Sequence, residues 1–163
     1  MKKLSLALLL ALALLTPSYG KTFKLPDEDS IASITIPDDW KSKEIDSGVE
    51  AQSADDEVYF YVEATDAKGL EKQIEEAVVY LKGQGVTVDE KSMKQSDGKI
   101  NGMEVFEIDW KGKDKDGATE ISLSVIVVSK EKGLLLVYWA SPEGTKKHIK
   151  TLGEIANSVK AIK

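Results

Sequence analysis

Two stretches in the C-terminal third limit what this chain can fold into. Val125 to Val128 and Leu134 to Trp139 are nearly continuous apolar runs, separated by the turn-forming Glu131 to Gly133. A strand with one wet face alternates apolar and polar residues, whereas a strand without polar positions needs cover on both faces. These two strands therefore belong in the middle of a sheet, with helices on either side.

The rest of the chain supplies candidates for that sheet and its cover. After a short acidic lead, Lys24 to Ser30, strands are expected at Ile31 to Ile36, Trp40 to Ile45, Val49 to Ser53 and Glu57 to Thr65. Pro37-Asp38-Asp39 ends the first as a turn. In the fourth, Val58, Phe60 and Val62 share one face and Tyr59 and Tyr61 the other. Asp66 to Lys82 changes period: Leu70, Ile74, Ala77, Val78 and Leu81 form a helical stripe, with Asp66 as N-cap and Gly83 and Gly85 closing the helix. A four-stranded meander follows over Val86 to Gln95, Met103 to Lys111, Thr119 to Lys130 and Leu134 to Ala140, with expected turns at Asp97-Gly98, Asn101-Gly102 and Asp114 to Gly117. The last helix starts at Ser141 as N-cap with Pro142 at its first position, and Ile149, Leu152, Ile155, Ala156, Val159 and Ile162 mark its buried stripe.

The N-terminus has the form of a secretory signal. Lys2 and Lys3 precede an apolar run of 12 residues, Leu4 to Leu15, and Ser18-Tyr19-Gly20 presents small residues for a cut between Gly20 and Lys21. That run is too short to cross a bilayer, which takes about 20 residues. The expected organisation is a cleaved signal over 1–20 and a single α+β domain over 21–163, located in the periplasm or secreted. Cysteine is absent, which excludes lipidation of the signal, disulfides, thiol nucleophiles and thiolate zinc sites. Removing the signal leaves 20 lysines against 28 carboxylates, a net charge of −8. Such acidity argues against nucleic acid as a partner and against adhesion to anionic lipid. All the cations are lysine, so no guanidinium fork exists for bidentate carboxylate or phosphate recognition.

Ile34-Thr35-Ile36-Pro37-Asp38-Asp39-Trp40, Asn101-Gly102-Met103 at the head of the meander, and the last strand running into Ser141-Pro142-Glu143 together resemble the PsbP-like superfamily. This group is named for the extrinsic photosystem II protein of thylakoid lumens, and it includes a eukaryotic Ran-binding factor and many exported bacterial proteins. The resemblance spans nearly all of 21–163. It implies an α+β fold whose central antiparallel sheet is flanked by two main helices, an α/β/α sandwich, and a role in binding or assembly rather than catalysis.

Few residues offer chemistry. His148 is the only histidine; on the polar side of the last helix it reads as a solvated surface residue, without the nucleophile and orienting group a base requires. Asp114-Lys115-Asp116-Gly117 is similar to the middle of a calcium loop, but Gly112 and Leu123 occupy the positions of the first ligand and the bidentate glutamate, so a hairpin turn is expected. Asp27-Glu28-Asp29 and Asp55-Asp56-Glu57 read as solvated loop charge, and Gly83-Gln84-Gly85 lacks the remainder of any phosphate loop. Trp40, Trp110, Trp139, Tyr59, Tyr61, Tyr80 and Tyr138 read as core rather than as a ligand groove, and Lys146, Lys147 and Lys150 as a solvated helix face. The expectation is therefore no catalytic residues, no metal site, no cofactor and no located binding site. The chain reads as a non-catalytic binding or assembly module with another protein as partner and no stable membrane anchor. The alternative is a carrier of a small amphipathic molecule in an aromatic-lined cleft.

Overall fold

A computed structural model describes residues 20–66 and 70–162. Its elements in chain order are strands β1 (Gly20–Leu25), β2 (Ala32–Pro37), β3 (Lys41–Ile45), β4 (Gly48–Gln52) and β5 (Val58–Asp66), helix α1 (Leu70–Gly83), strands β6 (Thr87–Ile100), β7 (Met103–Asp114), β8 (Gly117–Val127) and β9 (Lys132–Ala140), helix α2 (Pro142–Asn157) and the short β10 (Lys160–Ala161). The architecture is α+β. Seven strands form an antiparallel sheet in the order β3-β4-β5-β9-β8-β7-β6, and β1-β2-β10 form a second, three-stranded antiparallel sheet.

The apolar runs take the central places that their composition requires. β9 is fourth of the seven strands, between β5 and β8. Its side chains alternate between two cores: Leu135, Val137 and Trp139 join Ala77 and Leu81 of α1, while Leu134, Leu136 and Ala140 join Leu152 and Ile155 of α2 and the apolar residues of β1 and β2. The same alternation sorts β5, with Val58, Phe60 and Val62 in the second core and Tyr61 in the first.

Four sequence expectations are corrected. The lead before the first expected strand is partly strand: Lys24 and Leu25 end β1, with Phe23 and Leu25 buried. Only those two apolar residues carry the signal, so it passes for a linker. Asp97-Gly98 is no turn; it lies within β6, opposite Phe106 and Val105. The reversal occurs at Asn101-Gly102, both with positive φ (50° and 83°), the backbone of a two-residue hairpin. Asp66 ends β5, with its carboxylate 3.0 Å from Lys132 Nζ; residues 67–69, where the helix was expected to begin and to be capped, lie outside the described residues, as do residues 1–19 of the expected signal. α2 stops at Asn157, and Val159 and Ile162 follow it. Finally, Ile149 is 59% exposed. The inward row of α2 runs through Gly144, His148, Leu152 and Ile155 because the helix start is pressed against Glu57: a Cβ on Gly144 would lie 2.9 Å from the Glu57 carbonyl oxygen. That contact rotates the helix by one position and turns His148 inward in place of Ile149.

Two polar ties hold α2 in register. Asn101 donates from Nδ2 to the carbonyls of Asn157 and Val159 at 2.8 and 2.7 Å, bracing the end of the helix on the β6–β7 turn. Ser158 Oγ accepts from the Thr35 amide at 2.8 Å, joining the same end to β2.

Candidate functional site

The one histidine is not a free surface group. The side chain of His148 is 15% exposed, and its Nε2 lies 3.0 Å from each carboxylate oxygen of Asp55. The edge of its ring meets Trp40, with centroids 5.8 Å apart at 89°. Asp55 also pairs with Lys147 and accepts from Ser53 Oγ at 2.7 Å. The Lys147 ammonium, then Ser53, His148 and the Glu57 amide hold the Asp55 carboxyl well below the usual carboxylate range, against a smaller opposing effect of burial. The loop between β4 and β5 is thereby locked to α2. Three residue types of a hydrolytic triad are present in the wrong order. Asp55 sits between Ser53 and His148, so the Ser53 proton is directed to a carboxylate and not to a base. Ser53 Oγ is itself fully buried and accepts the Glu57 and Val58 amides at 3.1 and 3.0 Å. This arrangement positions a loop; it does not activate a nucleophile.

A second feature is an open groove on the α2 side of the large sheet. α2 packs on β2, β5, β8 and β9, and Met103 and Val105 at the start of β7 join the same core, which leaves open the part of that face formed by the far end of β7 and the stretch of β6 paired with it. Strand alternation fixes what points there. Ile108 and Trp110 turn to the core beneath α1, so Glu107, Asp109, Lys111 and Lys113 turn to the groove. Register places Lys94 opposite Asp109, and Asp89 and Glu120 on either side of Lys111. Two clefts of about 720 and 280 Å³ share Lys111 and Glu120; Pro142 at the start of α2 walls the first, and Tyr138 walls the second. Burial, together with the facing carboxylates of Asp109, Glu120 and Glu107, pushes the Tyr138 hydroxyl up to about 12. On the other face of β7, Gly112 leaves room for its neighbours: a Cβ there would lie 2.6 Å from the Thr87 carbonyl oxygen and 2.7 Å from Ile121 Cδ1.

The other singled-out residues scatter. Trp40, Trp110, Trp139 and Tyr61 are buried in the two cores, and Tyr59 stacks on Trp139 with centroids 5.4 Å apart. Among the aromatics singled out, Trp110 and Tyr138 line the smaller of the two clefts together. Asp114 Oδ1 accepts the amides of Asp116 and Gly117, forming a hairpin turn at the ends of β7 and β8. Lys147 is held by Asp55 and Lys150 by Glu154, which divides the expected lysine face of α2. Among the described residues no group of three or more acidic or imidazole side chains is disposed to hold a metal, and no helix is long and apolar enough to cross a membrane. The groove escaped sequence reading because alternating charge on β7 looks like any solvated strand face.

No protein-family model matches the chain, and no curated protein matches it in sequence. Its shape does match solved structures. Cyanobacterial PsbP (CyanoP) from Synechocystis superposes with a TM-score of 0.60 at 8% identity, over 91% of this chain and 95% of that one. The fold is PsbP-like. LpqN of Mycobacterium tuberculosis, described as involved in cell envelope biogenesis, superposes with a TM-score of 0.54 at 13% identity, over 89% of this chain and 92% of that one. A protein from Bacteroides thetaiotaomicron gives 0.59 at 14% identity over 88% of this chain, which spans about half (49%) of that one. At these identities the likeness concerns the PsbP-like fold alone, and it agrees with the resemblance carried by Ile34 to Trp40, Asn101 to Met103 and Ser141 to Glu143.

Proposed function

We propose that residues 21–163 form a single exported domain, a non-catalytic binding or assembly module that works through a protein surface. The large sheet is the middle layer of an α/β/α sandwich, and the uncovered groove is the working face. The observation that carries this reading is that groove. It is an open, charged sheet face beside α2 on a PsbP-like fold, while Ser53, Asp55 and His148 are spent on holding a loop. Export is supported by the apolar run Leu4 to Leu15 with its small residues before Lys21, and by the likeness to an envelope-related LpqN. Periplasm or extracellular medium is the compartment that follows, with no metal or cofactor required.

Native mass spectrometry of the protein isolated from its own host tests the reading. A non-covalent adduct with the mass of a polypeptide is expected. An adduct of a few hundred daltons would favour a carrier of a small amphipathic molecule and overturn the assembly role.

A further inference from the structure

The chain has two asparagines, Asn101 and Asn157, and the fold brings them together. Asn101 Nδ2 donates to the Asn157 carbonyl at 2.8 Å and to the Val159 carbonyl at 2.7 Å. Both partners only accept, so the side chain must present its amide nitrogen, and a carboxylate could not take its place. The tie fastens a whole terminus. Asn157 ends α2, Val159 is fully buried, Ser158 between them accepts from the Thr35 amide at 2.8 Å, and Lys160 and Ala161 pair with Ser33 and Ala32 of β2.

The residue that makes this tie is also open to covalent change. Asn101 and Gly102 are exposed at the β6–β7 turn, and nothing lies within 4 Å of where a Cβ on Gly102 would stand. Without a side chain on Gly102, little shields its backbone nitrogen from the side chain of Asn101. Among the described residues, that nitrogen donates to no backbone carbonyl.

We propose that Asn101 is a site of spontaneous deamidation, and that the change releases the end of α2 and β10 from the β6–β7 turn and from β2. The Gly102 nitrogen attacks Asn101 Cγ. A new nitrogen–Cγ bond closes a cyclic succinimide, the Cγ–Nδ2 bond breaks, and Nδ2 leaves as ammonia with the proton that Gly102 gives up. Water then opens the ring at either carbonyl, leaving aspartate or isoaspartate. While both hydrogen bonds hold, the side chain is not free to turn onto the Gly102 nitrogen, so reaction proceeds from molecules in which the end of α2 has lifted locally. Redocking is then opposed. A carboxylate faces two carbonyl oxygens with no proton to give, at the negative end of the helix dipole. A transient opening becomes permanent.

The test incubates purified protein for days at mildly alkaline pH, where the Gly102 amide gives up its proton more readily. Peptide mapping by mass reads the exchange of NH2 for OH. Asp97-Gly98 and Asp116-Gly117 gain no mass on cyclising and reopening, so they leave the reading clear. Conversion is expected at Asn101, while Asn157, on a helix and followed by serine, stays intact. Ser158→Ala removes the acceptor of the Thr35 amide and loosens the same end without touching the turn. It is expected to speed conversion about five-fold, the change in released population that one lost hydrogen bond brings. The converted protein carries an added negative charge and is separated by anion exchange. Its amide hydrogen exchange is expected to quicken over 158–162 and at Thr35, and to stay unchanged in β8 and β9. Asn101→Asp should show the same pattern, and Asn101→Gly, which keeps the turn without the charge, a weaker one. An intact Asn101 after incubation overturns the modification site. An equal rate in Ser158→Ala overturns the gating by α2, and wild-type protection over 158–162 in both the converted protein and Asn101→Asp overturns the release.

Discussion

Gly144 and Gly153 lie on the same helix and make opposite demands. A Cβ at Gly144 would press on the Glu57 carbonyl at 2.9 Å, whereas one at Gly153 meets nothing within 4 Å. Gly144→Ala is therefore expected to cost about 1–3 kcal/mol, as the helix start is forced off the β4–β5 loop. Gly153→Ala should stabilise by about 0.5–1 kcal/mol by removing a flexible residue from a helix interior. Urea midpoints of the two variants check the pair, and a loss at both positions would mean that α2 lies differently. The same seating of α2 creates the Asp55 cluster, which has its own signature. The carboxyl of Asp55 titrates below its ordinary value of 3.8 in the folded state. Ionised Asp55 thus supports the fold at neutral pH, and that support is lost as pH falls through the acid range below 3.8. Asp55→Asn should lower stability at pH 7 and flatten its decline below pH 4, measured as urea midpoint against pH; a parallel shift at every pH would contradict the ion-pair account. Asp55 keeps a side-chain exposure of 30%, so solvent screening limits the size of the effect. The inward turn of His148 could not be read from sequence, because its partners lie about 93 positions away and the apolar pattern of α2 points to Ile149.

At the level of elements, β8 and β9 bear the greatest weight. Val125 and Leu136 are 4% and 7% exposed, and they point to opposite cores from the middle of the large sheet. Val125→Asp or Leu136→Asp buries a carboxylate without a partner, at a cost of several kcal/mol against a typical total of about 5–15. Both variants should be largely unfolded by circular dichroism at 37 °C, and wild-type melting of both would remove these strands from the centre. Their position was legible because an apolar run without polar alternation admits one environment. The start of α2 was legible for a local reason as well: Ser141 caps Gly144 at 2.9 Å and Pro142 follows. β1 and β10 were not legible. Each is defined by pairing with β2, a neighbour distant from β10 in sequence, and β10 has only two residues. The groove was equally hidden, since Lys113, Lys111, Asp109 and Glu107 become a surface only where α2 fails to reach.

For the molecule as a whole, the expected cut between Gly20 and Lys21 falls inside β1, with Gly20 opposite Pro37 in the ladder. Intact mass of the cell-associated protein should place its first residue within about two positions of Lys21, as expected for cleavage beside small residues. Retention of the full apolar segment in membranes would defeat the exported reading. The pairing of β2 carries a further consequence. Its two neighbours are the first and last described strands, so one edge closes with residues near 20 and the other with residues near 161. Val159, which leads into β10, shares a core with Phe23 and Leu25. A chain emerging from a ribosome or a translocation pore therefore cannot complete this core until its C-terminal residues are free. Proteolytic trimming near residue 160 would loosen the sheet that holds the opposite end of the sequence, so nicking at one terminus becomes a lesion at both.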